Sequence, residues 1–210
     1  MTRPAGPAGP LLIACALGVE RLALRPVPAG PAGVLRTGMG PRAAERSVAR
    51  ALRGEPVPGR TAVVATGFCA GLLPGMRPGD LVVAAETRDL GPPVPCHGAE
   101  GLGVALAPLG RVHTGLLAGA DRVVRGSPSR AVLRASGAVA VDMESAAVLR
   151  TAVRGAPARR VAAVRVVVDA PEHELVRFGT IRGGISAFRV LRSVLPVLLD
   201  WHHNLLLPRR

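Results

Sequence analysis

The chain contains no lysine: all 27 of its basic residues are arginine. Against 14 acidic residues they give a formal charge of +13, which on its own suggests nucleic acid or an anionic surface. The missing lysine, together with abundant Ala, Gly and Pro, reads instead as a compositional preference for arginine. The arginines are also scattered, with no block of five or more. Aromatic residues make up only 2%, too few for the base-stacking platforms of single-strand binders. A generally basic surface is the better reading, with room for a peripheral attraction to anionic lipid. Cysteine is scarce too: Cys15, Cys69 and Cys96 are an odd number with no CxxC pair, which gives neither a disulfide framework nor a zinc site. Cys15 and Cys69 sit in apolar runs and read as small core residues in a reducing, cytoplasmic compartment. No stretch reaches the roughly 18–20 apolar residues of a membrane helix. The run LLIACAL, preceded by a single Arg, suits a first buried strand better than a signal peptide.

What is present is aliphatic. Hydrophobic residues make up 49% of the 210, enough for a large core in one domain. The 26 Gly and 20 Pro punctuate aliphatic runs without forming a repeat. Residues 1–10 read as a disordered lead-in, 11–200 as a single domain and 201–210 as a basic tail. Strands are expected at 11–17, 34–37, 61–66, 80–87 and 160–169, and one or two more within 111–124. The Pro-rich stretch 88–108 reads as a loop, a candidate flap over a site, and 171–184 as irregular. Helices are expected after Gly40, with Pro41 in the first turn, and from Ser127 as cap with Pro128 following. A final amphipathic helix runs to Leu199, bent near Pro196. Strands alternating with helices point to an α/β fold, a three-layer α/β/α sandwich with a mixed central sheet.

The stretch 138–149, AVAVDMESAAVL, stands out. A buried strand gives way to helix formers through two carboxylates, Asp142 and Glu144, with Met143 between them. Open α/β folds place ligands at the carboxyl ends of their strands. Glu20, Gly38, Gly67 and Asp169 close other strands in the same way. Their convergence is the site expectation.

The segments ACALGVE, TGMG, ATGFCAGLLPGMRPGDLVVA, AVAVDMESAAV and AVRVVVD, in this order, resemble the purine nucleoside phosphorylase and methylthioadenosine/adenosylhomocysteine nucleosidase superfamily. The likeness spans about Leu11 to Ala170. VHTGLLAGADRVV and VLRSVLPVLLDW further resemble a hopanoid-associated branch, which is thought to remove adenine from adenosylhopane. The resemblance implies cleavage of a purine N-glycosidic bond without metal or cofactor, and a homo-oligomer. Glu144 would hold the ribose hydroxyls with Met143 packed on the sugar, and Asp142 would support them. Asp169 would protonate the purine, and Glu20 would direct the water. Phe68, Cys69 and Ala70 would form the wall facing base and sugar, beside the Gly38 turn. Asp142 stands where nucleosidases usually carry Glu.

The chemistry suits these residue types. An acid on the purine removes the leaving-group charge. A carboxylate gripping the hydroxyls favours positive charge on the sugar. A base on the opposite face aims the nucleophile. Plainer roles exist for each: Asp169 as a cap before Pro171, Glu144 and Glu20 as helix-start acids, Met143 as core. His97, His113 and His173 read as solvated or strand positions. Phosphorylases of the hexameric type carry an Arg and a Ser at positions that here are Ala65 and Phe68, so hydrolysis is expected over phosphorolysis. Arg21, Arg36 and Arg42 are the residues from which another anion site would be built, with phosphate then a co-substrate. A non-catalytic nucleoside-binding module and a nucleic-acid binder are the competing classes.

Overall fold

In the structure, a computed structural model, residues 9–25, 32–170 and 180–204 are described. The aliphatic runs become strands: β1 (Leu11–Cys15), β2 (Ala32–Arg36), β3 (Ala62–Gly71), β4 (Leu81–Arg88), β5 (Val94–Pro95), β6 (Val112–Gly119), β7 (Ala138–Asp142) and β8 (Val161–Asp169). The helices are α1 (Gly18–Ala23), α2 (Pro41–Leu52), α3 (Ala99–Leu106), α4 (Ser127–Ala135), α5 (Ser145–Arg154) and α6 (Thr180–Asn204).

The strands form one mixed sheet that curls back on itself. β1 lies parallel between β2 and β3. β3 is long enough to take two partners on its other side, β8 in parallel from Val63 and β7 in antiparallel at Ala70 and Gly71. β8 also pairs antiparallel with β4, β4 parallel with β6, and β6 parallel with β7. Strands β3, β8, β4, β6 and β7 therefore close a ring of five. Register shifts at Cys69/Ala70, Ala84/Glu86 and Leu116/Leu117 supply the local bends that closure needs.

Helices cover both faces, so the strands read as continuous apolar runs and not as alternating ones. On one side Leu24, Leu102, Leu191, Val194 and Leu198 pack on Ile13, Val64, Leu81 and Val164. On the other, Val48 and Val148 pack with Val63, Val82 and Ala163. Successive residues Val63 and Val64 thus serve opposite cores, as the two-residue period of a strand requires.

Several boundaries differ from the sequence expectation. The stretch 88–108 is not a flap. It holds β5, α3 and a short 3-10 turn, because Leu102 and Leu106 share one buried face of α3; its glycines and prolines obscure that spacing. Of the one or two strands expected within 111–124, one forms, ending at Gly119. The cap of α4 is Gly126, with Ser127 the first helical residue. α6 continues through Pro196 to Asn204. Trp201 and His202 are buried in it, so any basic tail begins no earlier than residue 205, outside the described residues. Trp201 Nε1 donates to the carbonyl of His97 at 3.1 Å, and His202 Nε2 meets the Gly9 carbonyl at 2.8 Å. At the other end, Gly9 and Pro10 are tied down, the Pro10 carbonyl accepting from Ala62 N at 2.9 Å; residues 1–8 of the expected lead-in lie outside the described residues, as do 171–179 of the expected irregular segment. Among the described residues no helix is long and apolar enough to cross a membrane.

Candidate active site

At the end of β1 the chain turns into α1, and Glu20 in its first turn folds back over the turn. Its Oε2 accepts from the backbone N–H groups of Ala16 and Leu17, both at 2.8 Å. Its Oε1 accepts from Phe68 N at 2.7 Å. The carboxylate thus bridges β1 and β3 while only 2% exposed. Gly67, at φ +133°, makes this possible, since a Cβ there would meet both Glu20 and Arg165.

β7, paired with the end of β3, delivers Asp142, and the start of α5 delivers Glu144. Asp142 Oδ2 accepts from Ser145 Oγ at 2.6 Å and forms an ion pair with Arg165 Nη2 at 2.6 Å. Its oxygens are thereby committed to holding the start of α5 and the arginine. Glu144 reaches over to α2, where its Oε1 accepts from Gly40 N at 2.7 Å. Gly40 caps α2 at φ +85°, a conformation that side-chain-bearing residues rarely adopt. Burial raises the Glu144 pKa above the usual carboxylate value; Arg165 and the Gly40 N–H oppose the rise, and Asp142 and Glu20 add to it.

Arg165, from the middle of β8, is the hub beneath these groups. It is 1% exposed, with Nε donating to Ser145 Oγ at 2.9 Å and Nη1 to the Thr66 carbonyl at 3.0 Å. Burial opposes its charge, but Asp142, Glu144 and Glu20 outweigh burial and raise its pKa further. One guanidinium thus faces three carboxylates. Its sequence signal is the single charge inside the apolar run VAAVRVVVD, since an arginine in a buried strand has to be paired. Asp169 closes the same strand, its Oδ2 held at 2.5 Å by Nη2 of Arg130 from α4. Arg130 lies on an exposed-looking amphipathic helix and carried no sequence signal.

Eight of the nine residues singled out from the sequence line one cavity of about 180 Å³. Glu20, Asp142, Glu144 and Asp169 supply its acidic groups, and Phe68, Cys69, Ala70 and Met143 its wall. Gly38 does not line it. Its φ of +82° turns the chain, and the contact falls to Met39, which lines the rim, and to the Gly40 N–H on Glu144. Burial raises the Cys69 thiol pKa, so the side chain is a neutral wall and no nucleophile. Arg21, Arg36 and Arg42 do not line this cavity; Arg42 lines a second one, which shares Met143 and holds Arg150 paired with Asp89 and Glu45. His113 is paired with Asp80 at 2.9 Å, His97 is occupied with Val161 and Trp201, and His173 lies outside the described residues.

Several buried carboxylates lining one apolar cleft can grip hydroxyls, supply a proton and orient water. Comparison with known proteins agrees with this fold. A family model described as the Phosphorylase superfamily matches residues 20–196. No curated protein matches the sequence. Among solved structures, 5'-methylthioadenosine/S-adenosylhomocysteine nucleosidase from Neisseria meningitidis, in complex with methylthio-immucillin-A, superposes with a TM-score of 0.74 at 19% identity, covering 91% of this chain and 99% of that one. A mutant of the Helicobacter pylori nucleosidase, with 5'-methylthioadenosine in its active site, gives 0.73 at 15% identity, over 91% and 98%. Futalosine hydrolase of Helicobacter pylori gives 0.75 at 14% identity, over 92% and 98%.

Proposed function

Because the chain belongs to the phosphorylase superfamily, we propose that it is a nucleosidase cleaving the N-glycosidic bond of a purine nucleoside by hydrolysis. The observation that carries this reading is the meeting of Glu20, Glu144 and Asp169 around one cavity. Glu144 would accept from the ribose hydroxyls, exchanging the Gly40 N–H for them. Asp169, protonated, would give its proton to a purine ring nitrogen while the bonding pair of C1′–N moves onto the departing base. Glu20, lining the same cleft, would take a proton from the water that attacks C1′. The negative charge of Glu20 and Glu144 favours the cationic sugar and disfavours an incoming phosphate. Among the described residues the one arginine in the lining, Arg122, points its side chain largely to solvent.

The substrate we propose is an adenine nucleoside with an apolar 5′ substituent, adenosylhopane in the first instance, on the sequence resemblance given above. The cleft's rim is consistent with this: Met39 is 69% and Val123 60% exposed beside the opening. Such a substrate would be met at a membrane surface, which a basic protein approaches readily. Val19 and Leu22 on α1 are also exposed and offer an apolar edge for a homo-oligomer. Incubation with adenosine, methylthioadenosine and adenosylhopane, with and without phosphate, tests the reading through free adenine. Adenine released only when phosphate is supplied would make the enzyme a phosphorylase. Fastest release from methylthioadenosine would reject the apolar substituent.

A further inference from the structure

Among the described residues, three arginines are buried. Arg159 is consumed by Glu55 and the carbonyls of Ala152 and Thr61, far from the cleft. Arg165 serves the sugar side through Asp142. The third, Arg130, stands behind Asp169. It is 6% exposed and its Nη2 is on Asp169, while its Nε and Nη1 are buried with no hydrogen-bond partner among the described residues. For the fold this is a poor arrangement. An unsatisfied buried donor forfeits its hydration without return, and the desolvation of a buried ion pair can exceed its Coulombic gain. An apolar residue on this face of α4 would serve packing better.

We propose that Arg130 is the positioning residue for the acid. It fixes the Asp169 carboxyl at the cleft wall and holds a desolvated positive charge beside the anion that Asp169 becomes. The inference rests on the reading of Asp169 as the proton donor. In that step the carboxyl proton passes to the purine, the C1′–N pair leaves with the neutral base, and a carboxylate is left in a buried site. Away from water a neighbouring guanidinium stabilises that carboxylate far more than it would at the surface. Arg130 itself does not line the cavity, so its action runs through Asp169.

The test separates leaving groups. Wild type, Arg130→Met, Arg130→Lys, Asp169→Asn and the Arg130→Met/Asp169→Asn double variant are assayed on two substrates. One is whichever of adenosine, methylthioadenosine and adenosylhopane the wild type cleaves fastest. The other is p-nitrophenyl β-D-ribofuranoside, whose phenolate departs without a proton. Arg130→Met should lower kcat for adenine release about 100-fold, the lower end of what a positioned acid contributes. KM should stay within a few-fold, nitrophenolate release should be nearly unchanged, and Arg130→Lys should recover part of the loss. In the Asp169→Asn background Arg130→Met should add nothing. Equal losses on both substrates, undiminished adenine release in Arg130→Met, or an additional loss in the double variant would each overturn the inference. Full adenine release in Asp169→Asn, or no adenine release by the wild type from any of the three, would overturn the reading of the site itself.

Discussion

Gly67 and Glu20 fit so closely that a Cβ on residue 67 would lie 2.4 Å from Oε1 of Glu20, and 2.8 Å from Nη1 of Arg165. Both neighbours are buried and bonded, so neither can swing aside cheaply. Gly67→Ala should therefore push the Glu20 carboxylate off the Phe68 N–H. A misplacement of about 1 Å in such a group can cost 100-fold in rate. Steady-state adenine release should show a fall of about that size in kcat with the fold retained by circular dichroism. Unchanged kcat would mean that Glu20 does not direct the water.

Glu144 should trade stability for activity. Its folded pKa lies above the usual carboxylate value, so it contributes stability at low pH that is lost as pH rises through the folded pKa. Ionised Glu144 is thus a cost at neutral pH. Glu144→Gln removes that cost and keeps an oxygen for Gly40 N. The variant should melt higher than wild type at pH 8, with the difference closing as pH falls toward 4. It should also lose most sugar binding, seen as a raised KM. A lower melting temperature at pH 8 would contradict the assignment.

Arg165→Met leaves three carboxylates facing one another without their shared cation. Breaking a buried pair this way typically costs about 3–5 kcal/mol, and denaturant unfolding at pH 7 should report a loss in that range. Acidification should narrow the deficit, because protonation removes the repulsion that the arginine had balanced. A deficit independent of pH would mean that lost packing, not charge, is responsible.

Far from the cleft, Glu55 joins the α2–β3 loop to the turn before β8. Burial works against its charge, but hydrogen bonds from Arg159, Thr61 and Gly59 outweigh it and bring the pKa down to about 2. A lowered carboxylate contributes stability above its unfolded value that is lost as pH falls through the folded one. Unfolding free energy should therefore decline between about pH 4.5 and pH 2. Glu55→Gln should be less stable at pH 7 and should flatten that decline. An unchanged slope would show that other carboxylates govern acid unfolding.

Much of this architecture was legible because buried strands announce themselves. The runs at Leu11, Val63, Leu81, Ala138 and Val161 all appear as strands, and Pro41 and Pro128 mark helix starts as expected. Helix α3 was hidden because two glycines dilute its pattern, and only contact with β4 and α6 reveals which face is buried. Closure of the ring depends on β3 switching partners at Ala70, a long-range choice with no local signature. In the cleft, the carboxylates were readable from their places at strand ends. Arg130 and Gly40 were not, because their meaning lies in the partners Asp169 and Glu144, which are distant in the chain.

The five-stranded ring also fixes the order in which the cleft can come into being. β8 is the last of the described strands to be made, and it must slot between β3 and β4, strands that left the ribosome long before it. Until it arrives, both keep unpaired edges that invite mispairing, and contacts of such high sequence separation form slowly. Arg165 and Asp169 ride on that strand. The nascent chain can therefore hold Glu20 and Glu144 in near-final surroundings and still have no assembled cleft. The cleft completes in the same event that seals the sheet.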